Sequence, residues 1–345
     1  MPIGAEPISP DAAPPSTHAE RARCRPRWHQ ALTVVGWATA GGLGLLVAVR
    51  LLGAERGSAL ALLIGALPLS LLPAYALLGL ALGLRRRLLG AVATALVVAH
   101  LLVVAPALGG DELTASAAAA PPLRVVTANV YVLNPTPELA GRSLRALRPD
   151  VLVVPELDAD GLAGLRASGL LDDLPYSVLE LGERAESVGL FSRLPLQDVS
   201  SRPGAGRLLP RATVSVDGVE VRLVTGHPLP PVLGWESLWR RSLADLAREV
   251  DGVELPTVVA GDLNADRDHA SFRKLLDVGL RDAHDVRGRG LARTWPASSP
   301  VLHLDHVLVR DRAGVRFEVV DVAEAPIPGS DHLAVVADLR LVPAG

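Results

Sequence analysis

The stretch from residue 31 to residue 108 decides what kind of chain this can be. It holds six charged residues, Arg50, Glu55, Arg56 and the run Arg85, Arg86, Arg87. Around them lie three apolar segments, 31–49, 58–84 and 88–108. Each is long enough to cross about 30 Å of hydrocarbon at roughly 1.5 Å per residue. Helices at the surface of a water-soluble protein keep a polar face, and three stretches with almost none within 78 residues are more than a soluble core would bury. Three transmembrane helices are therefore expected. Arg21, Arg23, Arg25 and Arg27 precede the first segment and Arg85–Arg87 follow the second, seven positive charges against Arg50 and Arg56 in the loop between. The positive-inside rule then puts the N-terminus in the cytoplasm and everything beyond residue 108 outside the cell membrane, as a multi-pass protein. Pro68 and Pro73 are expected to kink the second span without ending it, and His100 to face a neighbouring helix.

Residues 1–30 are rich in Pro, Ala and Ser, lack an apolar pattern and read as a disordered, basic cytoplasmic tail. Residues 109–122 read as a flexible linker in which Thr114 to Ala118 loosely resembles a signal-peptidase site. From 123 to 345 the character changes to that of a globular domain, with 25 Lys and Arg against 31 Asp and Glu, a net charge of −6. Such a balance counts against nucleic acid as a partner, because non-specific affinity for it comes from neutralising phosphates. The only cysteine, Cys24, precedes the first apolar segment, so the domain has no internal disulfide and no thiolate metal site.

Leu123–Asn129 and Asp150–Glu156 are apolar, β-branched runs that turn polar only at their ends. That is the pattern of central strands delivering side chains to the edge of a sheet. Further strands are expected at 187–192, 211–216, 220–226, 256–260, 303–309, 316–322 and 333–341, with helices at 136–147, 235–250 and 269–278. Many strands and fewer helices predict a four-layered α/β sandwich, two packed mixed sheets with outer helices, preceded by the transmembrane helices.

The strand ends carry polar groups of one kind: Asn129, Glu156, His227, Asp262 with Asn264, Asp305, and the pair Asp331 and His332. Taken singly, each can be a cap or turn residue. Together, oxygen and imidazole donors without cysteine favour Mg²⁺ or Mn²⁺ over zinc. A hard cation beside carboxylates, amides and histidines is what metal-assisted phosphoryl transfer uses.

In this order, Asn129, Pro155-Glu156, Gly189-Leu-Phe-Ser192-Arg193-Leu-Pro195, Thr225-Gly-His227, Gly261-Asp262-Leu-Asn264, Leu304-Asp305-His306 and Ser330-Asp331-His332 resemble the motifs of the endonuclease/exonuclease/phosphatase superfamily over about 123–341. The resemblance implies a metal-dependent phosphoric ester or diphosphate hydrolase. It implies that Glu156 holds the metal, with Asn129 and Asp331 close by. Asp262 would orient the attacking water or the metal shell, Asn264 would bind the phosphate, and His227 would stabilise the pentacovalent phosphate or the leaving oxygen. His332 would be the base or its electrostatic equivalent, fixed by Asp305; whether His332 or Asp262 activates water stays open. The chain departs from the pattern at Pro155, where the family often has Gln, and after Asn129, where a glycine is usual; both changes bear on the substrate's surroundings.

Trp235 and Trp239, four residues apart, share one helical face and either pack on a sheet or form an apolar rim at a membrane interface. His303 is placed on the same side of its strand as Asp305 and His306 on the other, both as packing residues. Asp266, Asp268 and His269 read as caps of the next helix. A tether raises effective concentration for a substrate that is itself in the membrane. The three-span plan is similar to that of actinobacterial membrane proteins associated with teicoplanin resistance, which implies a phosphorylated membrane lipid as substrate, a polyprenyl (pyro)phosphate or related cell-envelope lipid. The alternatives are an extracellular non-specific nuclease or phosphodiesterase, served by Arg such as Arg202, Arg207 and Arg211, and a catalytically inactive binding domain. Oligomeric state is left open.

Overall fold

The structure is a computed structural model that describes residues 27–182, 186–204, 207–232 and 234–344. Most of the basic tail read over 1–30 lies outside the described residues.

The apolar third forms α1 (Arg27–Leu52), α2 (Ser58–Gly65), α3 (Leu67–Ser70), α4 (Pro73–Gly83) and α5 (Arg87–Leu108). Among the described residues, α1 and α5 are long and apolar enough to cross a membrane. The segment 58–84 is not the continuous kinked span expected: α2 stands at 89° to the run Leu67–Gly83. Pro68 gives the reason, because a proline ring collides with the carbonyl four residues back and ends the helix containing Ile64. Pro73 opens α4 at its first turn, where the missing N–H is not needed. Leu43, Leu46, Leu77, Leu89 and Leu96 pack α1, α4 and α5 together, and Ile64 of α2 joins that core. The outward faces are equally apolar, with Val34, Leu45, Leu51, Leu82 and Leu102 exposed, a surface suited to lipid. His100 does face a neighbouring helix, its Nδ1 2.9 Å from the Tyr75 hydroxyl of α4.

Among the described residues, the remainder holds twelve strands: β1 (Pro122–Thr127), β2 (Val151–Pro155), β3 (Tyr176–Glu180), β4 (Val188–Ser192), β5 (Gln197–Gly204), β6 (Arg207–Val216), β7 (Val219–Gly226), β8 (Thr257–Asp262), β9 (Arg281–Asp282), β10 (Asp305–Arg310), β11 (Val315–Pro326) and β12 (Leu333–Pro343). They form two six-stranded mixed sheets in the orders β11-β12-β1-β2-β4-β3 and β5-β6-β7-β8-β10-β9. The helices are α6 (Pro137–Ala146), α7 (Ala159–Ala167), α8 (Leu170–Asp173), α9 (Glu236–Asp251), α10 (Ala270–Leu276) and α11 (Ala283–Val286). Side chains alternate across each central strand. Leu123 and Val125 of β1 and Val151 and Val153 of β2 meet Leu223, Val258 and Val307 of the other sheet. Val126, Leu152 and Val154 turn the opposite way, onto Ala140 and Leu144 of α6 and Leu165 of α7. On the far side Leu243, Leu246 and Val250 of α9 and Phe272 of α10 cover Val224 and Val259. The result is the expected sandwich of helices, two sheets and helices.

Each sheet has one parallel pair, β1 with β2 and β7 with β8, and each pair is joined through a helix, α6 or α9. Parallel pairs need such crossovers, and ligand sites form outside the carboxyl ends of the strands they join. Both pairs end on the same edge of the sandwich. Gly261 allows this: at φ +151° a Cβ there would stand 1.9 Å from the Gly226 carbonyl oxygen, so the ends of β7 and β8 close up only without a side chain.

The linker segment is fastened to the domain at several points. Gly110 bridges to Arg287, Asp111 N–H donates to the Val286 carbonyl, and the Thr114 N–H and hydroxyl donate to Glu318. Residues Ala115–Ala119 form a 3₁₀ turn with Ala117 buried.

Candidate active site

The four parallel strands deliver Asn129, Glu156, His227 and Asp262 within two residues of their carboxyl ends. Two antiparallel strands complete the set from the other direction. Asp305 opens β10 directly across from Asp262 of β8, and His332 immediately precedes β12, the antiparallel neighbour of β1. Strand polarity thus gathers residues spread over 200 positions of sequence at one edge.

The carboxylates are held by local turns. Glu156 sits at φ +56°, a left-handed conformation unusual for a residue with a Cβ. There its Oε2 accepts the Val132 N–H at 3.2 Å. Asp262 Oδ1 accepts the Asn264 N–H at 2.9 Å in an Asx turn. Asn129 Nδ2 donates to Glu156 Oε1 at 3.0 Å and to Asp262 Oδ2 at 3.1 Å, tying the ends of β1, β2 and β8 together. Its Oδ1 accepts the Tyr131 N–H. His227 Nε2 stands 4.0 Å from both Glu156 Oε1 and Asp262 Oδ2.

His332 is the second focus. Its Nδ1 lies 2.8 Å from Asp305 Oδ2 and its Nε2 3.8 Å from Asp262 Oδ2. Burial works against a charge on this ring, but Asp305, Asp262 and the hydrogen bond to Asp305 outweigh it and push its pKa up to about 10. Burial, with the nearby charge of Asp305, pushes the Asp262 carboxyl up to about 7. Ser330 fixes the turn that presents His332, donating its hydroxyl to the Asn129 carbonyl and accepting the His332 N–H.

Two expected residues stand at the margin. Asp331 is exposed and its Oδ2 accepts the Trp295 indole N–H at 3.0 Å, so it lines the pocket without joining the converging carboxylates. Asn264 lines it too, one amide hydrogen committed to the Pro228 carbonyl.

Glu156, His227 and Asp262 each offer an atom within 4.8 Å of the other two. No Arg or Lys pairs with either carboxylate among the described residues. Two hard oxygen donors with an imidazole, and no Arg or Lys against them, fit a small divalent cation.

Around this cluster opens a cavity of about 670 Å³, lined on the catalytic side by Glu156, His227, Asp262, Asn264 and His332. Its remaining lining is mostly apolar, and no Arg or Lys lines it among the described residues. Arg211, a candidate for a basic groove, is buried on β6 and paired with Glu249 of α9. Trp235 and Trp239 differ in burial. Trp235 precedes α9, keeps 41 % of its surface exposed and lines the cavity, whereas Trp239 is fully buried against His269. His303 is not beside Asp305 either. The strand begins only at Asp305, so period-two reasoning does not reach His303, whose ring packs 4.2 Å from that of His306.

The first turn of α10 is capped from far away. Asp268 pairs with Arg50, His269 accepts the Asp266 N–H, and the Ala270 N–H donates to Glu55 of the α1–α2 loop at 2.6 Å. Sequence reasoning had no means of finding this cap, because its two partners are 215 residues apart.

Comparison with known proteins agrees with this geometry. Residues 126–332 match the Endonuclease/Exonuclease/phosphatase family. No curated protein sequence matches the chain. Among solved structures, D. rerio TDP2 in complex with a single-strand DNA product is similar at 16 % identity and a TM-score of 0.53, over 64 % of this chain and 99 % of that one. An endonuclease/exonuclease/phosphatase from Beutenbergia cavernae is similar at 24 % identity and a TM-score of 0.51, over 65 % and 72 %. At these identities the likeness is one of fold. With the family motif matched over most of the domain and its acidic and histidine residues gathered at one edge, the chain belongs to the endonuclease/exonuclease/phosphatase family and is a metal-dependent phosphoester hydrolase.

Proposed function

We propose that the enzyme is anchored in the cytoplasmic membrane by three crossings, acts on its outer side with Mg²⁺, and hydrolyses a phosphorylated membrane lipid such as a polyprenyl (pyro)phosphate. The observation that carries the substrate reading is the lining of the catalytic cavity, mostly apolar beyond the catalytic residues and free of Arg and Lys among the described residues. A nuclease groove needs cations along the phosphates and exposed rings for the bases, whereas a lipid phosphoester needs one polar end and apolar walls.

The topology has its own support. The α1–α2 loop and the segment after α5 both contact the catalytic domain, so both lie on its side of the membrane. That requires the bent run through α4 to return across the bilayer between α1 and α5. Of the two arginines that stand against the positive-inside orientation, Arg50 is neutralised by the buried Asp268 at 2.8 Å, which strengthens the placement of the seven others inside.

In this reading Glu156 would hold the ion, with Asp262 and His227 beside it and the Asn129 amide keeping the two carboxylates together. The ion would neutralise phosphoryl charge. Asp262 accepts a proton from the attacking water. His332 enters as a cation, steadied by Asp305, and with His227 stabilises the charge that gathers on the phosphoryl oxygens. The second amide hydrogen of Asn264, which lines the cavity, would donate to a phosphate oxygen.

The test is the full chain in nanodiscs with Mg²⁺, assayed in parallel on a polyprenyl pyrophosphate, plasmid DNA and a phosphodiester lipid. EDTA-sensitive phosphate release from the pyrophosphate lipid is the expected result. Plasmid nicking of comparable efficiency would overturn the substrate reading.

A further inference from the structure

One wall of the catalytic cavity comes from neither sheet. Ala61, Leu62 and Gly65 of α2 line it, across from Pro230, Val232 and Trp235 in the segment that follows His227. The helix that supplies this wall carries no charged residue.

It is firmly seated on the catalytic domain. His269, fully buried, accepts the Asp266 N–H on Nδ1 and so donates from Nε2 to the Ala61 carbonyl at 2.8 Å. The Ser58 hydroxyl donates to Glu236 of α9 at 2.9 Å, and the loop before α2 supplies the Glu55 cap of α10. A Cβ on Gly65 would stand 3.0 Å from His269 Cε1 and 3.2 Å from Leu302 Cδ2, so helix and domain meet here as closely as a glycine permits.

The corner after α2 gives that wall its direction. With α1, α4 and α5 crossing a bilayer, a helix at 89° to the α3–α4 run lies along the membrane surface. One flank of it, Ile64, belongs to the core of the apolar bundle, while the other, Leu62, keeps 45 % of its surface exposed beside the catalytic cavity.

We infer that α2 and the residues Pro230, Val232 and Trp235 form a hydrocarbon subsite, in which the apolar chain of the substrate lies between Leu62 and Trp235 while its phosphate sits at Glu156, Asp262 and His332. The chain then passes from cavity to bilayer without crossing water, and the anchor takes part in substrate recognition. This rests on the lipid phosphoester reading and adds where the lipid is held. The driving force is burial of methylenes, each worth up to about fourfold in affinity.

Binding is read without turnover. The full chain in nanodiscs is irradiated with dodecyl phosphate carrying a diazirine in mid-chain, and labelled peptides are mapped. Labelling is expected in both 58–65 and 229–235, displaced by unlabelled dodecyl phosphate and not by equimolar inorganic phosphate. Leu62→Asp and Trp235→Ala should each cut that displaceable labelling by about tenfold or more, the loss of roughly two buried methylenes. Displaceable label found only on α1 and α5, or unchanged in both variants, overturns the subsite. Lipid hydrolysis without labelling at these segments sinks the subsite and leaves the function standing; labelling without hydrolysis of any lipid phosphoester does the reverse.

Discussion

His332 is held between two buried carboxylates, its Nδ1 2.8 Å from Asp305 Oδ2 and its Nε2 3.8 Å from Asp262 Oδ2. A ring in that position keeps its proton, and its contribution to folding stability follows from this. Its folded pKa, about 10, lies above the ordinary histidine value of 6.5, so the stabilisation is complete below 6.5 and lost as pH rises through 10. Asp305→Asn should remove most of that alkaline slope in the metal-free protein and return the His332 titration, followed by NMR, toward its ordinary range. Turnover should fall by about 10²- to 10⁴-fold; an unchanged rate would remove Asp305 from the site.

Glu156 is half-buried and meets only neutral hydrogen-bond donors and His227 among the described residues. Its charge is free for a cation. EDTA should abolish hydrolysis and Mg²⁺ restore it, and Glu156→Gln should cost about a hundredfold or more in activity and weaken Mg²⁺ binding measured by calorimetry. Equal Mg²⁺ affinity in the variant would place the ion elsewhere.

Gly261→Ala tests the convergence of β7 and β8. A methyl group 1.9 Å from the Gly226 oxygen has nowhere to go without separating the two strands. A loss of about 2–3 kcal/mol in stability is expected, together with lower activity, because His227 and Asp262 follow the strands that separate. Unfolding of the variant at the parent's temperature would show that the strand ends have room after all.

Acid should loosen the seat of α2. Burial holds the His269 imidazole down to about 4, so its contribution is present above pH 6.5 and lost as pH falls toward 4. Asp266, pushed up to about 7 chiefly by burial, pulls the other way over the same range. The informative quantity is therefore the difference between parent and His269→Gln. The parent should lose thermal stability relative to the variant between pH 7 and pH 4.5, and parallel curves would refute the assignment.

What could be read from the sequence was whatever depends on strand direction. Asn129, Glu156 and His227 each follow an apolar run and Asp262 ends one, and such runs announce buried parallel strands, so their meeting at one edge follows from polarity alone. The strands that escaped, β3, β5 and the two-residue β9, are edge strands; Tyr176 to Glu180 is only partly buried and has no strong apolar period. The corner at α2 escaped because a proline in an apolar run signals either a kink or a stop, and packing of Gly65 on His269 decides between them. Trp235 and Trp239 differ because the helix starts one residue after the first of them, an uncertainty inherent in reading helix ends.

Arg50, near the end of α1, and Gly110, just beyond α5, are both fastened to the catalytic domain. In a bilayer this leaves the domain little freedom to swing, and fixes its mouth at one height and one tilt over the headgroups. Its encounters would then be two-dimensional. The rate would follow the mole fraction of substrate in the leaflet and the lateral diffusion of both molecules, and dilution of the suspension would leave it unchanged.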